Sequence, residues 1–504
     1  MNAVFKICQF RVRTSVLQIS GRRQCLFILL LTLGILFAAC PAYCSTTYFV
    51  QPDGSDSNSG TTINSAFKTI GKGVSSAAAG DTIYVRAGTY SYTGSSTAIN
   101  LTAKSGASAS NRPKLFAYPN ERPLVDFSTI SGTSADGISV KGSYWYVKGL
   151  DLKGAPHNGL RIRGDSGGAN YNIIEFCSSY ENRNSGVQID KGAAYNQIIN
   201  CDSYYNCDVC SVPVGKDADG FSPKLDVGTG NYFYGCRSWG NSDDAYDGYL
   251  RGADDVNTTY ENCWAFKCGW YWKDGSTNTS MNGNGFKMGG SDDKTLRHNA
   301  TVKNCLAFSN KVKGFDQNND KGNMTLYNCT AFDNNMGGDG ANYGINVFPL
   351  ASGKTATVTN CISAGTGGID INDFVVQTTN SWQSPFDVNE ADFASIDANA
   401  AYGARKADGN LPDISFMHLA NGSDLIDGGT DVNLPFYGNA PDLGAFEHLD
   451  GDCHADGVVD WLDLACLVDN WLTFDCGTCN GADFDGDSKV NFYDFAMMAE
   501  NWLK

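Results

Sequence analysis

The sequence predicts an all-β fold, a right-handed parallel β-helix of about ten coils, followed by a small α-helical module with EF-hand-like loops. Two repeats along the 504-residue chain and a duplicated acidic pattern near its C-terminus carry this prediction. The composition agrees, because 42% hydrophobic and 18% charged residues, with 57 Gly and 13 Pro, are typical of an ordered globular protein.

The first repeat is a cysteine at the end of short β-favouring runs, at intervals of 24 to 42 residues. Its members are Cys177, Cys201, Cys236, Cys263, Cys305, Cys329 and Cys361. Asn directly precedes five of them (Asn200, Asn262, Asn304, Asn328, Asn360) and follows five of them by five residues (Asn182, Asn206, Asn241, Asn310, Asn334). Such a period predicts one coil per repeat. Asn suits left-handed corners and can bond neighbouring backbones, and the cysteines are interpreted as small buried hydrophobes.

The second repeat is a glycine followed by an apolar residue in each coil. The pairs are Gly137-Ile138, Gly159-Leu160, Gly186-Val187, Gly220-Phe221, Gly248-Tyr249, Gly285-Phe286, Gly314-Phe315 and Gly344-Ile345. Each glycine is predicted to open a strand whose next residue points inward, so the residue after that faces outward. The outward positions would be Ser139, Arg161, Gln188, Ser222, Leu250, Lys287, Asp316 and Asn346.

The N-terminal region predicts export and a capped solenoid. In residues 1–44, five Lys and Arg residues precede the apolar run Leu26 to Ala38, and small residues follow, which is the layout of a secretory signal. No stretch approaches the roughly 20 apolar residues of a membrane span. We therefore expect a secreted, extracellular or cell-surface protein, with a lipid anchor on Cys40 as the alternative. Within residues 45–135, Phe67, Ile70 and Val74 fall at helical spacing and predict a helix over the open end.

The formal charge of −17 disfavours nucleic acid and anionic membranes as partners, and loss of residues 1–44 would remove five further positive charges. The same charge would repel a polyuronate unless divalent cations bridge the two.

Four aspartates are predicted to converge on the outward face. Asp219 and Asp247 would each precede a column glycine, about 4.8 Å apart on adjacent coils, with Asp243 and Asp244 in the turn before Asp247. A hard cation with six to eight oxygen ligands would relieve their repulsion, and calcium fits better than zinc because no His or Cys joins the cluster. A structural and a catalytic ion are equal alternatives on the acids alone. Lys287, one coil beyond on the same face, favours catalysis.

Three stretches resemble the signature blocks of the family 9 polysaccharide lyases, which are pectate lyases with a ten-coil β-helix. They are DADGFSPKLDVGTGN (217–231), NSDDAYDG (241–248) and GNGFKMGG (283–290). Residues 422–447 also resemble the end of that catalytic domain, so the resemblance spans about residues 46–448. One departure is Ala245-Tyr246 where Gly-Trp is common, which we interpret as affecting the substrate groove.

The resemblance implies that Asp219, Asp243, Asp244 and Asp247 bind a catalytic calcium and that Lys287 is the general base. The bound calcium would also contact the C6 carboxylate of a galacturonate and acidify its C5 proton, which neutral Lys287 would take while the C4 oxygen leaves. An alkaline optimum follows, because a lysine with a pKa near 10.4 is a poor base at neutral pH. Further sugar units would contact Lys224 and Arg251 with Trp239 and Tyr249, for which surface charge and rim packing are the alternative.

Residues 450–504 carry the duplicated pattern. Oxygen ligands at loop positions 1, 3, 5, 9 and 12 have EF-hand spacing, and each loop runs into a similar helix. The predicted ligands are Asp452, His454, Asp456, Asp460 and Asp463, then Asp483, Asp485, Asp487, Asn491 and Asp494. The duplication resembles a type I dockerin, which implies docking to a cohesin-like partner or to an internal or cell-surface receptor. His454 and Ser488 depart from the usual loop and predict weak calcium binding, while Cys453, Cys466, Cys476 and Cys479 are expected to form disulfides rather than a zinc site.

Two other functions stay open at this point. One is a β-helix glycoside hydrolase that uses paired carboxylates without calcium. The other is a non-catalytic sugar-binding or adhesin protein whose calcium site is structural. Ultraviolet absorbance of an unsaturated uronide product would separate all three.

Overall fold

The computed structural model describes residues 45–503 apart from residues 166, 347–348, 477–478 and 485–486. The predicted signal segment, with Cys40, and the predicted loop ligand Asp485 lie outside the described residues. Within the described ranges, no helix is both long enough and apolar enough to cross a membrane.

The chain winds through three parallel sheets, and neighbouring strands in each sheet come from successive coils. Sheet 1 has 12 strands: Thr47–Val50, Thr82–Val85, Lys114–Ala117, Tyr146–Lys148, Ile173–Glu175, Gln197–Ile199, Asn231–Tyr234, Val256–Glu261, His298–Lys303, Met324–Tyr327, Ala356–Thr359 and Val375–Thr378. Sheet 2 has 10: Ile99–Leu101, Ile138–Val140, Leu160–Arg163, Val187–Asp190, Phe221–Pro223, Tyr246–Asp247, Phe286–Lys287, Lys313–Asp316, Ala341–Ile345 and Ile369–Ile371. Sheet 3 has 10: Thr89–Gly94, Leu124–Ile130, Asp151–Lys153, Ser178–Tyr180, Asp202–Tyr204, Arg237–Trp239, Trp264–Phe266, Leu306–Phe308, Thr330–Phe332 and Ile362–Ala364. The predicted parallel β-helix is confirmed.

The asparagine and cysteine repeats form the corners and the interior as predicted. The five Asn that precede cysteines have φ between 49° and 55°, the left-handed region that Asn tolerates. All seven repeat cysteines are buried and free. Further along each coil, Asn182 donates from Nδ2 to Asn206 Oδ1 at 2.8 Å, and Asn206 donates likewise to Asn241 at 2.8 Å. This ladder satisfies buried polar groups coil after coil.

The longest interval in the cysteine repeat, from Cys263 to Cys305, contains an excursion of the chain. Residues 269–283 leave the solenoid after the strand Trp264–Phe266 and return before Phe286–Lys287. Cys268 stands in the asparagine ladder at this coil, where its N–H donates to Asn310 Oδ1 at 3.2 Å. The ladder therefore continues although the coil carries an insertion.

The N-terminal end and one face of the solenoid are covered. Helix α1 (Ile70–Ser76) buries Ile70 and Val74 against the first strands, as predicted. Outside sheet 3, the segment after residue 380 packs Phe416, Leu425 and Leu443 onto the aromatic residues of that sheet. Short 3-10 helices lie at Ile63–Ser65, Glu390–Asp392, Ala398–Tyr402 and Cys479–Gly481.

The register of sheet 2 differs from the prediction in two coils. Phe221 pairs with Tyr246 and Phe315 pairs with Tyr343, so Ala245 and Asn342 occupy the column position rather than Gly248 and Gly344. Asp247 and Gly344 are therefore the outward residues, and Leu250 is fully buried. The prediction assumed a glycine in every coil, whereas the inward aromatic stack of Phe221, Tyr246, Phe286, Phe315 and Tyr343 sets the register, with centroid spacings of 4.5 to 5.3 Å.

The C-terminal residues form a small helical unit with its own core. Helices α2 (Trp461–Asp469) and α3 (Phe492–Asn501) each begin with a capping box, formed by Asp460 with Asp463 and by Asn491 with Asp494. Disulfides join Cys453 to Cys466 and Cys476 to Cys479, as expected.

The two loops before these helices have matching hydrogen bonds. Asp452 accepts from the N–H groups of Asp456 and Gly457, and Asp483 accepts from those of Asp487 and Ser488. Ser488 takes the left-handed conformation of Gly457, with φ of 64° against 85°. The duplication predicted from the sequence thus extends to the backbone.

Candidate active site

A groove of about 920 Å³ lies over the outward face of sheet 2, and its charged lining includes Arg161, Lys224, Asp243, Asp247, Lys287 and Lys313. Outward side chains reach it because residues alternate between the two faces of a strand. The strands Phe221–Pro223, Tyr246–Asp247 and Phe286–Lys287 lie side by side in its floor.

Stacked coils bring three carboxylates together at one end of these strands. The Gly220 N–H donates to Asp244 O at 3.0 Å and the Ala245 N–H donates to Asn284 O at 2.8 Å. Asp219, Asp244 and Asn284 therefore occupy the same position in three successive coils. Together with Asp243, the two aspartates form a cluster of three buried carboxylates whose oxygens lie within 4.8 Å of one another.

Backbone and amide groups orient two of these carboxylates. Asp243 accepts from the N–H groups of Asp217 at 3.0 Å and Asn282 at 2.9 Å. Asp244 Oδ1 accepts from both the N–H and the Nδ2 of Asn284, each at 2.8 Å. These contacts fix the side chains, because a carboxylate with two donors has little rotational freedom left.

Asp247 is not one of these three carboxylates and lies in a different place than the sequence suggested. It does not precede a column glycine but faces outward within its strand, directly beside Lys287. Lys287 Nζ lies 3.1 Å from Asp244 Oδ2 and 3.3 Å from Asp247 Oδ1. Lys224 Nζ lies 2.5 Å from Asp219 Oδ2 and 3.2 Å from Asp247 Oδ2. Two lysines and four aspartates thus form one network.

Burial dominates the electrostatics of the aspartates. It raises the pKa of Asp219 to about 7, with repulsion from Asp247 and Asp244 adding to the effect. Burial and the neighbouring carboxylates also raise the pKa of Asp243 and of Asp244. Asp247 differs: burial acts on it too, but Lys287 and Lys224 outweigh that effect and hold its pKa at about 2. A bound cation would stabilise the ionised form of these buried carboxylates, because it would offset their mutual repulsion.

The two lysines lie beside the same aspartates, whose negative charge favours the protonated amine. Burial lowers the pKa of Lys287, but Asp244 and Asp247 outweigh burial and raise it well above its ordinary value. The pKa of Lys224 is raised in the same way, because Asp219 and Asp247 outweigh the effect of burial. The side chain of Lys287 remains 11% exposed and its Nζ lies 5.2 Å from the centroid of the Tyr249 ring, at the groove surface.

The donor set fits a hard divalent cation. Asp219, Asp243 and Asp244 offer only oxygen atoms, which calcium prefers, and no His or Cys belongs to the cluster. Among the described residues, this is the one such group of three or more acidic, His or Cys ligands.

The remaining predicted site residues fall in different places. Lys224 is buried beneath the groove, whereas Arg251 is exposed on its rim, where Nε pairs with Asp292 at 2.9 Å. Tyr249 lines the groove. Trp239 does not, because it is stacked between Tyr204 and Phe266 on sheet 3.

Tyr246 also differs from the interpretation made on the sequence. It is fully buried in the inward aromatic stack, so the Ala245-Tyr246 departure affects the core and not the groove.

Asn284 is the site residue that the sequence reasoning missed. Its signal was present, because it directly precedes a column glycine, as Asp219 does. The assumption that Asp247 held that position in the intervening coil concealed the equivalence. With Asp244 placed there instead, the series Asp219, Asp244, Asn284 becomes evident.

The parallel β-helix and the buried acid and lysine network beneath an open groove define the class, a β-helix enzyme acting on polysaccharide. Comparisons with known proteins agree. A family model described as the Pel9A-like, right-handed β-helix region matches residues 48–347. Pectate lyase L of Dickeya chrysanthemi is 35% identical over 411 residues, which cover 79% of this chain and 90% of that protein.

Solved structures agree as well. The crystal structure of pectate lyase Pel9A matches with a TM-score of 0.71 and 34% identity, covering 80% of this chain and 97% of the other. A rhamnogalacturonan lyase matches with a TM-score of 0.64 and 29% identity, covering 75% and 97%. The chain belongs to the Pel9A-like family of right-handed β-helix pectate lyases, the family 9 type, and is a polysaccharide lyase. The resemblance to the family 9 polysaccharide lyases is confirmed, which decides against the hydrolase and the non-catalytic alternatives.

Proposed function

We propose that this chain is a secreted enzyme that cleaves α-1,4-linked polygalacturonate by calcium-assisted β-elimination, with Lys287 as the general base. The observation that carries the proposal is the position of Lys287 Nζ, 3.1 Å from Asp244 and 3.3 Å from Asp247 at the floor of the groove. A base and a cation-binding cluster thus face the same substrate volume. The pectate lyases among its relatives support the choice of substrate.

Asp219, Asp243, Asp244 and Asp247 would hold the calcium ion. Calcium bound there would draw charge from the C6 carboxylate of a galacturonate and so acidify the C5 proton. Lys287 Nζ would accept that proton as the C5–H bond breaks. The electron pair forms the C4–C5 double bond, the C4–O bond breaks, and the leaving oxygen takes a proton from solvent. The product is an unsaturated chain end, and no water is added across the bond.

Lys287 needs to be neutral for this role, and its surroundings determine when that occurs. The four carboxylates raise its pKa while their charge is uncompensated. Neutralising that charge removes the cause of the shift, and burial then favours the neutral amine. The proposed enzyme therefore combines calcium dependence with an alkaline optimum.

Ultraviolet absorbance of the unsaturated product tests the proposal. Wild type, Lys287→Ala and Lys303→Ala are assayed on polygalacturonate with calcium at alkaline pH and again with chelator. Lys303 is a matched control because it lies on sheet 1 and pairs with Glu261, outside the groove. We expect absorbance from wild type and Lys303→Ala with calcium only, and none from Lys287→Ala.

The outcomes separate the parts of the proposal. Activity of Lys287→Ala comparable to wild type would remove Lys287 as the base, and full activity in chelator would remove the calcium. If folded wild type gives no product from polygalacturonate but cleaves rhamnogalacturonan, the proposed substrate is wrong. The substrate would then be that named for the rhamnogalacturonan lyase among the solved structures.

The proposal also covers the two ends of the chain. Residues 1–44 would direct export, and residues 450–504 would be a dockerin-like module that binds calcium and a cohesin-like partner. The matching hydrogen bonds of Asp452 and Asp483 support two equivalent loops. Retention of the full chain on an immobilised cohesin domain tests the module. Retention should need calcium and should be lost in the Asp452→Ala/Asp483→Ala variant. If that variant is retained as well as wild type, the two loops do not take part in binding the cohesin domain.

A further inference from the structure

A second depression lies around the corner from the active-site groove, between sheets 3 and 2. Its volume is about 210 Å³, and it is lined by the rings of Tyr205, Tyr271 and Trp272 and by the cations Lys153, Arg183 and Lys273. We propose that this aromatic cleft is an accessory binding site for a polyuronate chain, separate from the catalytic groove. The inference rests on the proposed function for its choice of polymer.

The cleft is positively charged, whereas the chain as a whole is negatively charged. The chain has a formal charge of −17, yet Arg183 and Lys273 have no carboxylate partner among the described residues. The Arg183 guanidinium donates to Cys210 Sγ at 3.6 Å, and Lys273 Nζ lies 5.3 Å from the centroid of Trp272. Lys153 pairs at 3.6 Å with Glu181, a carboxylate that also lines the cleft, so the lining has three cations and one anion. Cations left without carboxylates on an acidic protein favour an external anion.

The aromatic rings narrow the class of that anion. Tyr205 and Trp272 are stacked with centroids 4.9 Å apart, which fixes the indole on the excursion of residues 269–283 against the solenoid. Rigid rings beside a few charged groups suit a ligand that is both apolar and anionic. A sugar ring presents C–H groups to an aromatic face, and a uronate adds a carboxylate for Arg183 or Lys273. A simple inorganic anion would leave the rings unused.

The position of the cleft gives the second site a purpose. Arg183 lines the cleft, whereas the next residue, Asn184, lines the catalytic groove. Likewise, Cys207 lines the cleft and Lys216 the groove. A polymer long enough to reach both would be bound at two points, which raises its local concentration at the groove. A short oligosaccharide in the groove would not gain from the cleft.

Binding without turnover tests the site directly. The full chain with Lys287→Ala is compared with versions that also carry Arg183→Gln/Lys273→Gln, or Lys114→Gln/Lys303→Gln on sheet 1 as a charge-matched control. Retardation in gels containing polygalacturonate gives affinity, and highly methyl-esterified pectin tests whether free carboxylates are recognised. We expect the cleft variant to bind polygalacturonate roughly three- to tenfold more weakly, with the control unchanged and weak binding of esterified pectin by all.

Turnover distinguishes this inference from the proposed function. In the chain with Lys287 intact, Arg183→Gln/Lys273→Gln should raise KM for polygalacturonate while leaving turnover of trigalacturonate unchanged. Trp272→Ala should give the same pattern. Equal affinity of cleft and control variants would overturn the accessory site even if wild type is an active lyase. Equal losses on polymer and trimer would overturn it too, because the residues would then belong to the groove.

Discussion

The acidic residues of the solenoid and those of the C-terminal module are organised in opposite ways. In the solenoid, Asp219 and Asp244 come from adjacent coils and meet, with Lys287 of the next coil, only because strands stack in register. In the module, Asp452 and Asp463 belong to one 12-residue loop and are held by nearby N–H groups. The spacing of ligands within one loop can be read from a sequence. A site between coils depends on the strand register, and the register changes when one residue is assigned to the wrong column position.

The largest expected effect separates the two regions by activity. Asp243→Ala should lower turnover roughly 100-fold or more, because it should remove several kcal/mol of charge stabilisation from the transition state. Each loss of about 1.36 kcal/mol lowers the rate by about a factor of ten. Asp452→Ala should leave turnover within about twofold, since it lies in the module. Initial rates on polygalacturonate measure both. A large loss in Asp452→Ala would mean that the module contributes to catalysis.

The asparagine ladder tests how far the active-site coils depend on stacking. Asn206 Oδ1 accepts from the N–H and Nδ2 of Asn182, and its own Nδ2 donates to Asn241. Asn206→Ala should cost about 3 kcal/mol of unfolding free energy, because it leaves buried groups unpaired. The exposed Asn399→Ala should cost less than about 0.5 kcal/mol. Denaturant titration compares them, and equal midpoints would show that the ladder contributes no net stability.

Acid should weaken the packing of the segment after residue 380, which contains His418. His418 is 7% exposed, its ring centroid lies 4.0 Å from that of Phe446, and burial, with a smaller effect of His448, lowers its pKa to about 3. The folded state therefore keeps His418 neutral. Its stability contribution is complete above about pH 6.5 and is lost as pH falls toward 3, amounting to about 2 kcal/mol at pH 5.

The His418→Phe variant isolates this contribution. It keeps an aromatic ring against Phe446 but has no proton to bind. The difference in unfolding free energy between pH 7 and pH 5 should be about 2 kcal/mol smaller than in wild type. An identical pH dependence in the two proteins would show that His418 titrates normally in the fold.

The smallest effect concerns the symmetry of the module. Asp463 accepts from the Asp460 N–H, and Asp494 accepts from the Asn491 N–H, each at 2.8 Å, so each completes a capping box. Asp463→Ala and Asp494→Ala should each cost about 1 kcal/mol, felt in the helix that follows and in the loop before it. Amide exchange of α2 and α3 measures this. Unequal losses would mean that the two loops have diverged in function.

Local residue preferences account for what the sequence predicted well. Asn in left-handed corners, cysteines as small interior residues and the cap helix all follow from properties of single residues or short spacings. The convergence of Asp219, Asp243 and Asp244 was also predictable, because they lie beside strands of adjacent coils. The same holds for the outward position of Lys287.

The errors arose where packing overrides the local pattern. Tyr246 follows an alanine but fits the inward aromatic stack, and this places Asp247 beside Lys287. Trp239 looked like a groove residue, yet the segment after residue 380 covers it, and nothing in a β-helix repeat predicts which face a later segment will pack on. The close contact of Lys224 with Asp219 depends on side-chain reach and could not be predicted from spacing.

The excursion of residues 269–283 shows how such a solenoid can change its specificity. The chain departs at one corner and rejoins the same coil, while Asn310 still bonds across the gap to Cys268. The strands hold Lys287 in place beside Asp247, whereas the end of the excursion still contributes to the site, because the Asn282 N–H donates to Asp243 at 2.9 Å. Coil spacing therefore sets where Asp244 and Lys287 lie, and the segment inserted between coils adds Ser280 and Asn282 to the lining of the groove.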